Sequence, residues 1–374
     1  MQRIIRATAV TLIAFLVLPT ASAQNLTLTV DCGRGQTIAQ ALRQGDSRKP
    51  LVVVVRGTCN EHVSVTRDDV TLRGEPSTEP TVNGPDSGTD TIVISKDTVS
   101  IEDLTVTGGF NGIRLQGPFQ TAVRKVLVRN TANNGILLRA GDMALVDSTV
   151  ENAGASGLVL GRAASVRVVN SHFRYSHFMG IYAQNNSTLT IEGGTVSDNE
   201  GHGINVDFGS DGTISNVEIF NNFTGIMVST GHATLDGGNN VHHNRQHGVV
   251  AQAGAVLGLN GSKVTQNAQI GVLGYLGATV VMNSNEITGN GESGVFCLND
   301  CTLQVTSDRI SGNAHHGIGV QRRSTLIDLG PIDEPTDASG NTWVDLWCGD
   351  KESSVDLGSN FKGTVDLACT GFDD

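Results

Sequence analysis

The chain of 374 residues has no basic run and no zinc-finger spacing, and it carries only 25 Lys and Arg against 37 Asp and Glu. A net charge of −12 opposes a phosphate-binding surface, so nucleic acid and anionic membranes are poor partners. No apolar stretch is long enough to span a bilayer, so no integral membrane segment is expected in the mature chain. Across the middle of the chain, apolar residues never recur at the 3-4 spacing of a helix. Phosphate loops, dinucleotide fingerprints and Ser-His-Asp contexts are missing too, and no motif requires a cofactor. Charged residues reach only 17%, yet 46 glycines are present. That balance describes a tightly turned, well-buried array and not a disordered chain.

Residues 1–23 read as a secretory signal. Arg3 and Arg6 form the positive start, Ala9 to Leu18 the apolar stretch, and Ala21-Ser22-Ala23 the cleavage site. The protein is therefore expected to be exported, to the periplasm or the extracellular medium, and its removal of two arginines takes the net charge to −14. Six cysteines in an exported chain suit three disulfides, and proximity favours Cys32–Cys59, Cys297–Cys301 and Cys348–Cys369.

What the chain does have is a period. Glycine precedes Ile, Val or Leu at Gly112, Gly135, Gly157, Gly180, Gly203, Gly225, Gly248, Gly271, Gly294 and Gly317, at spacings of 22 or 23. Hydrophobic columns repeat with it: the residue after each glycine, a second column from Val106 to Ile332, and a third that includes Leu235, Leu257, Val280, Leu303 and Leu326. Each coil thus offers three short β-branched segments separated by Gly, Asn, Ser and Asp, which means three strands and three turns. Stacking about 4.8 Å apart, some twelve coils make an all-β parallel rod on the order of 55–60 Å long. Asn199, Asn221, Asn244, Asn267, Asn290 and Asn313 stand four residues before a repeat glycine and suit a ladder of stacked turn amides. A leucine-rich repeat would need a Leu-dominated consensus and a helical return, and has neither here.

Residues 24–85 are expected to form the N-terminal cap and first coils, 86–324 the repeats and 325–374 an irregular C-terminal cap. Thr37 and Gln40 fit a capping box, so a short helix over 37–44 with a stop at Gly45 is expected to cover the first coil.

The recurring Asn-(x)3-Gly-Ile-x-Val pattern over residues 50 to 325 resembles the right-handed parallel β-helix proteins of the pectin-lyase-like superfamily. The resemblance implies that fold and a range of functions: polysaccharide lyases, polygalacturonase-type hydrolases, uronan epimerases and periplasmic carbohydrate-binding or metal-delivery proteins. Gly201-His202-Gly203-Ile204 resembles the Gly-His-Gly element at the hydrolase cleft. The acidic residues that hydrolases need before the equivalent glycine of preceding coils are replaced by Asn111, Asn134, Ser156 and Met179. The Asp-Pro-His-Asp element of uronan epimerases is absent.

If the residue after each glycine faces the core, the second and fourth face outward. The middle of that outer face is polar. His202, Tyr182, Asp207 and Arg162 are the candidate catalytic residues, with a base at His202 or Tyr182 and an arginine to steady developing charge. Gln184, Asn205, His177 and Arg139 are the candidate substrate-binding residues. Strict alternation would instead turn His202 inward, and only the turn geometry decides. Calcium is a weak alternative at Asp207-x-Gly209-x-Asp211-Gly212 with Glu218, which follows the EF-hand spacing except at its third position. The later half of the face is apolar, with Met227, Val250, Leu273, Tyr275, Phe296 and Leu298. It suits either self-association or cover by the C-terminal segment. The function expected is glycan or polysaccharide engagement, with lyase- or epimerase-type activity in view. The contrasting class is a non-catalytic envelope or surface protein used for binding or as a scaffold.

Overall fold

In the computed structural model, residues 25–329, 335–357 and 361–369 are described; the expected signal segment, Pro331 and Ile332 lie outside the described residues. The repeat glycines set the first of three strand columns. Sheet I is built from the strands that follow them, such as Ile113–Leu115, Ile136–Leu138 and Ile204–Asp207, and it has 14 parallel strands. Sheet II takes strands such as Gln120–Arg124, and sheet III strands such as Leu127–Thr131. The long strands Ser165–Arg174 and Thr188–Ser197 run through both, which joins sheets II and III. Every coil pairs in register with the next, so three sheets enclose one continuous core.

The three predicted hydrophobic columns fill that core. Ile113, Ile136, Leu158, Ile181 and Ile204 are fully buried, as are Val128, Val150, Phe173, Leu235 and Leu257. The chain forms 14 rungs in sheet I where the period suggests about twelve coils. The extra rungs come from coils of other lengths, which no 22–23 periodicity can count. Val63 pairs with Ile92 across 29 residues, Ile318 with Leu346 across 28, and Leu346 with Val365 across 19.

The glycine signature has a packing cause. A Cβ on Gly248 would lie 2.5 Å from Val264 Cγ1, 2.6 Å from the Gly271 carbonyl oxygen and 2.7 Å from Asn267 Nδ2. No side chain fits where the turn amides of the next coil press against the start of the strand. Those amides form the expected ladder. The Asn244 backbone N–H and side-chain amide both donate to Asn267 Oδ1, at 3.1 and 2.9 Å, and Asn267 donates in the same way to Asn290. One rung differs from expectation. Asn222, not Asn221, accepts from Asn199, because this coil has only 22 residues and the missing one falls between the ladder and Gly225. Asn221 instead has φ +56 and donates to Asp198. The ladder also extends past Asn313 to Asn341.

The N-terminal helix is present but shorter than expected, whereas beyond residue 325 the described residues continue the stack with Thr325–Asp328, Leu346–Cys348, Ser354–Asp356 and Val365–Leu367 in place of an irregular cap. Ile38–Leu42 is helical, and Thr37 accepts from the Gln40 N–H. The reciprocal half of the capping box is replaced by Glu61, whose carboxylate accepts from the N–H groups of Ile38 and Ala39. Cys32–Cys59, Cys297–Cys301 and Cys348–Cys369 are bonded as predicted. Gly274 makes room for the middle bridge, since a Cβ there would meet Cys301 Sγ at 2.7 Å.

Candidate functional site

The outer face of sheet I carries two interleaved columns. One is the second residue after each glycine; the other is the residue just before the glycine. Asn205 Nδ2 lies 3.7 Å from Met179 Sδ, one coil back. At the far end of the sheet the His316 ring stacks on Trp347 with centroids 5.0 Å apart. Both contacts join a residue before one glycine to a residue of the outward column in the next coil. The turn therefore lays these side chains over the outer face, which settles the orientation of His202: it faces outward.

His202 is half-buried there, beside Phe223 with ring centroids 6.2 Å apart, and its Nδ1 has no hydrogen-bond partner. Burial lowers its pKa below 6.5, so the imidazole is neutral at neutral pH and can accept a proton. Three residues on, Asn205 is buried with Oδ1 unpartnered. Tyr182 pairs in register with Asn205 on the neighbouring strand. Burial and then the Asp207 charge raise the Tyr182 pKa above 10, which keeps the phenol protonated. Asp207 is held in place by the Phe208 N–H at 2.7 Å and the Thr230 hydroxyl at 3.0 Å. A neutral base and a protonated acid thus occupy adjoining coils of one face.

Other candidates fall elsewhere. Arg162 and Arg139 are exposed and line a shallow cavity of about 260 Å³ with Arg114 and Gln116. Arg162 belongs to this cluster, in the coils preceding the His202 coil. Arg114 is paired with Asp90 at 3.0 Å, whereas Arg139 and Arg162 form no ion pair among the described residues. His177 is exposed and lies 3.4 Å from Glu200, on the turn. Gln184 is half-buried just beyond the Tyr182 strand.

The calcium reading finds no convergent ligands. Asp207 binds Thr230, Asp211 faces His232 at 3.2 Å, and Glu218 lies on sheet III 3.2 Å from His242. Among the described residues the one group of metal-ligand types is Cys32, Cys59 and Glu61. Its sulfurs form a disulfide and its carboxylate caps the helix.

The apolar half of the face is not an open stripe. Val250 is 1% exposed, and Met227, Leu273 and Phe296 are only partly exposed. The column before the glycines interleaves with these positions, as the Met179–Asn205 and His316–Trp347 contacts between successive coils show on the same face. Val250 is thus removed from any self-association surface. The described residues of the C-terminal segment continue the stack, with Trp347 in register with Gly319.

Sequence reasoning overlooked Phe178 and Phe223, both exposed, which flank Gly201 at the position two before the repeat glycine. It also overlooked Arg245, whose guanidinium donates to the carbonyls of Asn199 and Glu200 at 2.9 and 2.7 Å and ties this turn across two coils. The available signal was aromatic residues in turns that elsewhere carry Asn, Ala or Gln.

In sequence, residues 111–237 and 203–328 match the family described as right handed beta helix region. No curated protein matches the chain. Among solved structures it is similar to the A-module of the Azotobacter vinelandii mannuronan C-5 epimerase AlgE6, at 16% identity and a TM-score of 0.53, covering 90% of this chain and 93% of that one. It is also similar to the periplasmic alginate epimerase AlgG, at 15% identity and a TM-score of 0.54, covering 91% and 84%. Likeness at this identity shows a shared fold. Among the described residues, no helix is long and apolar enough to cross a membrane.

Proposed function

The chain belongs to the right-handed β-helix family, in its pectin-lyase-like form, and from that premise we propose that the outer face of sheet I engages an acidic polysaccharide. The observation that carries the reading is the arginine cluster. On an acidic chain, Arg114, Arg139 and Arg162 come from three successive coils and lead directly to the coils of Tyr182 and His202. Carboxylates spaced along a uronate polymer suit such a row, because guanidinium groups recognise them bidentately.

In this reading His202 removes the proton on the ring carbon beside a bound carboxylate. In the same reading Tyr182 hands a proton either to the opposite side of that carbon or to the departing glycosidic oxygen. The first outcome is epimerisation and the second is lyase cleavage. Asn205 and Asp207 position sugar and phenol. The missing paired carboxylates count against a glycoside hydrolase. Three disulfides suit an oxidising compartment, which supports an exported protein, periplasmic or extracellular.

The test is incubation with polyuronates in deuterated water, mannuronan and alginate first because the two similar structures are named for them. Unsaturated-product absorbance would identify a lyase; deuterium at the carbon beside the carboxylate in intact polymer would identify an epimerase. Neither signal, with binding retained, leaves the non-catalytic binding protein; neither signal and no binding overturns the proposal.

A further inference from the structure

Only two tryptophans occur in the chain, and both line one cavity of about 430 Å³ at the C-terminal end of the sheet I face. Trp343 is 57% exposed and stacks on His315 with centroids 4.2 Å apart and planes at 17°. Trp347 stacks on His316 and lies 6.2 Å from Phe296. Leu273 completes the apolar side. Glu292 lines the same cavity, and its carboxylate has no partner among the described residues. No Lys or Arg lines it.

We infer that this cavity is a second sugar subsite, selective for a neutral pyranose ring; the inference rests on the glycan reading of sheet I. The C–H face of a pyranose packs against an indole through the ring's negative π-face, and its hydroxyls donate to a carboxylate. The volume suits a small ligand. A uronate is disfavoured at neutral pH and above, because its carboxylate would meet Glu292 with no Lys or Arg to offset the repulsion, and burial lowers the pKa of His316. The cavity lies on the same face as the polar site: Asn205, Met227, Val250, Leu273 and Phe296 pair in register along it. Four strand steps separate Asn205 from Phe296, roughly 19 Å. The face thus reads charged units at its arginine end and a neutral unit at its tryptophan end.

Because both tryptophans are in the cavity, intrinsic fluorescence of the whole chain reports on it without any catalysis. Titration with neutral gluco- and manno-oligosaccharides is expected to give a saturable emission shift, with oligouronates binding at least tenfold more weakly at the same reporter. By calorimetry, Trp343→Ala should weaken neutral-sugar binding at least tenfold. Glu292→Gln should retain neutral-sugar binding and narrow the preference over uronates. No saturable shift with neutral sugars overturns the inference, as does unchanged affinity in Trp343→Ala. An emission change on dilution without sugar would assign the cavity to contact between two copies and also overturns it. A tryptophan response without turnover of polyuronates would sustain this subsite while removing the catalytic reading.

Discussion

The two halves of the sheet I face share strand length, register and coil spacing, yet they carry opposite chemistry. From Arg114 to Asp207 the face holds Arg114, Tyr182, Asn205 and a half-buried His202, with Leu137 and Val159 between them and Arg139 and Arg162 just past the strand ends; from Met227 to Trp347 the outward column is aliphatic and aromatic apart from Gly319. The inward positions show no such divide and remain apolar, mostly Ile, Val and Leu, along the described coils. Backbone pairing and core volume constrain the inside of every coil equally, while the outside is free to vary. Function is therefore to be sought in departures from the repeat. His202 is a partial case: its position holds His247 and His316 as well as Met179, Thr224, Ile270 and Ser293 in other coils, so the fold tolerates an imidazole there without demanding one.

That tolerance makes the sharpest break of the comparison. His202→Ala should fold normally and lose about 10²- to 10⁴-fold of any turnover, measured by steady-state kinetics beside thermal melts. Wild-type activity should depend on pH with the sign set by the two shifted groups. The acid limb should lie below pH 6.5, where His202 takes up its proton, and the alkaline limb above pH 10, where Tyr182 ionises. An acid limb above pH 6.5 would take the base role from His202.

The interior predicts the reverse pattern, in which stability falls and the outer chemistry is untouched. Asn267→Ala removes the acceptor of two Asn244 donors and a bond to the Val241 carbonyl at 3.1 Å. It should cost about 2–4 kcal/mol, read from denaturant unfolding. A loss under 1 kcal/mol would mean that the stacked amides contribute little.

A smaller and pH-dependent effect is expected at Asp308, which ends a second ladder by accepting from the Asn285 N–H and side-chain amide, both at 2.8 Å. Burial raises its pKa from 3.8 to about 6. The unfolded chain therefore ionises first as pH rises, and folding is destabilised progressively from about pH 4 to above pH 6. Asp308→Asn removes a penalty of about 3 kcal/mol but loses the Thr306 bond, worth about 1–2 kcal/mol. The variant should be about 1–2 kcal/mol more stable than wild type at pH 8 and about 1–2 kcal/mol less stable at pH 4, where the penalty is gone and the lost Thr306 bond remains. Equal stability at both pH values would contradict the burial argument.

Much of the scaffold was legible because period and packing are the same statement in a solenoid. The glycine column, the buried columns and all three disulfides follow from spacing alone. The single misplaced ladder rung, Asn221 for Asn222, arose because one short coil shifts the turn and not the strand. The coil count fell short because the end coils insert or delete turn residues, which leaves the strands paired but the period broken. The site was less readable. Whether His202 faces in or out depends on turn dihedrals that alternation does not encode, and the grouping of Arg162 with Arg114 and Arg139 depends on which turns lie side by side.

The central claim, that the outer face of sheet I is a track for acidic glycan, is tested most directly by calorimetric titration of uronate oligomers into wild type and Arg139→Ala/Arg162→Ala at low and high salt. The account predicts binding that weakens with salt and is about 10- to 100-fold weaker in the double variant, through loss of two charge-assisted contacts. Wild-type binding that is unaffected by salt and by loss of both arginines would contradict it.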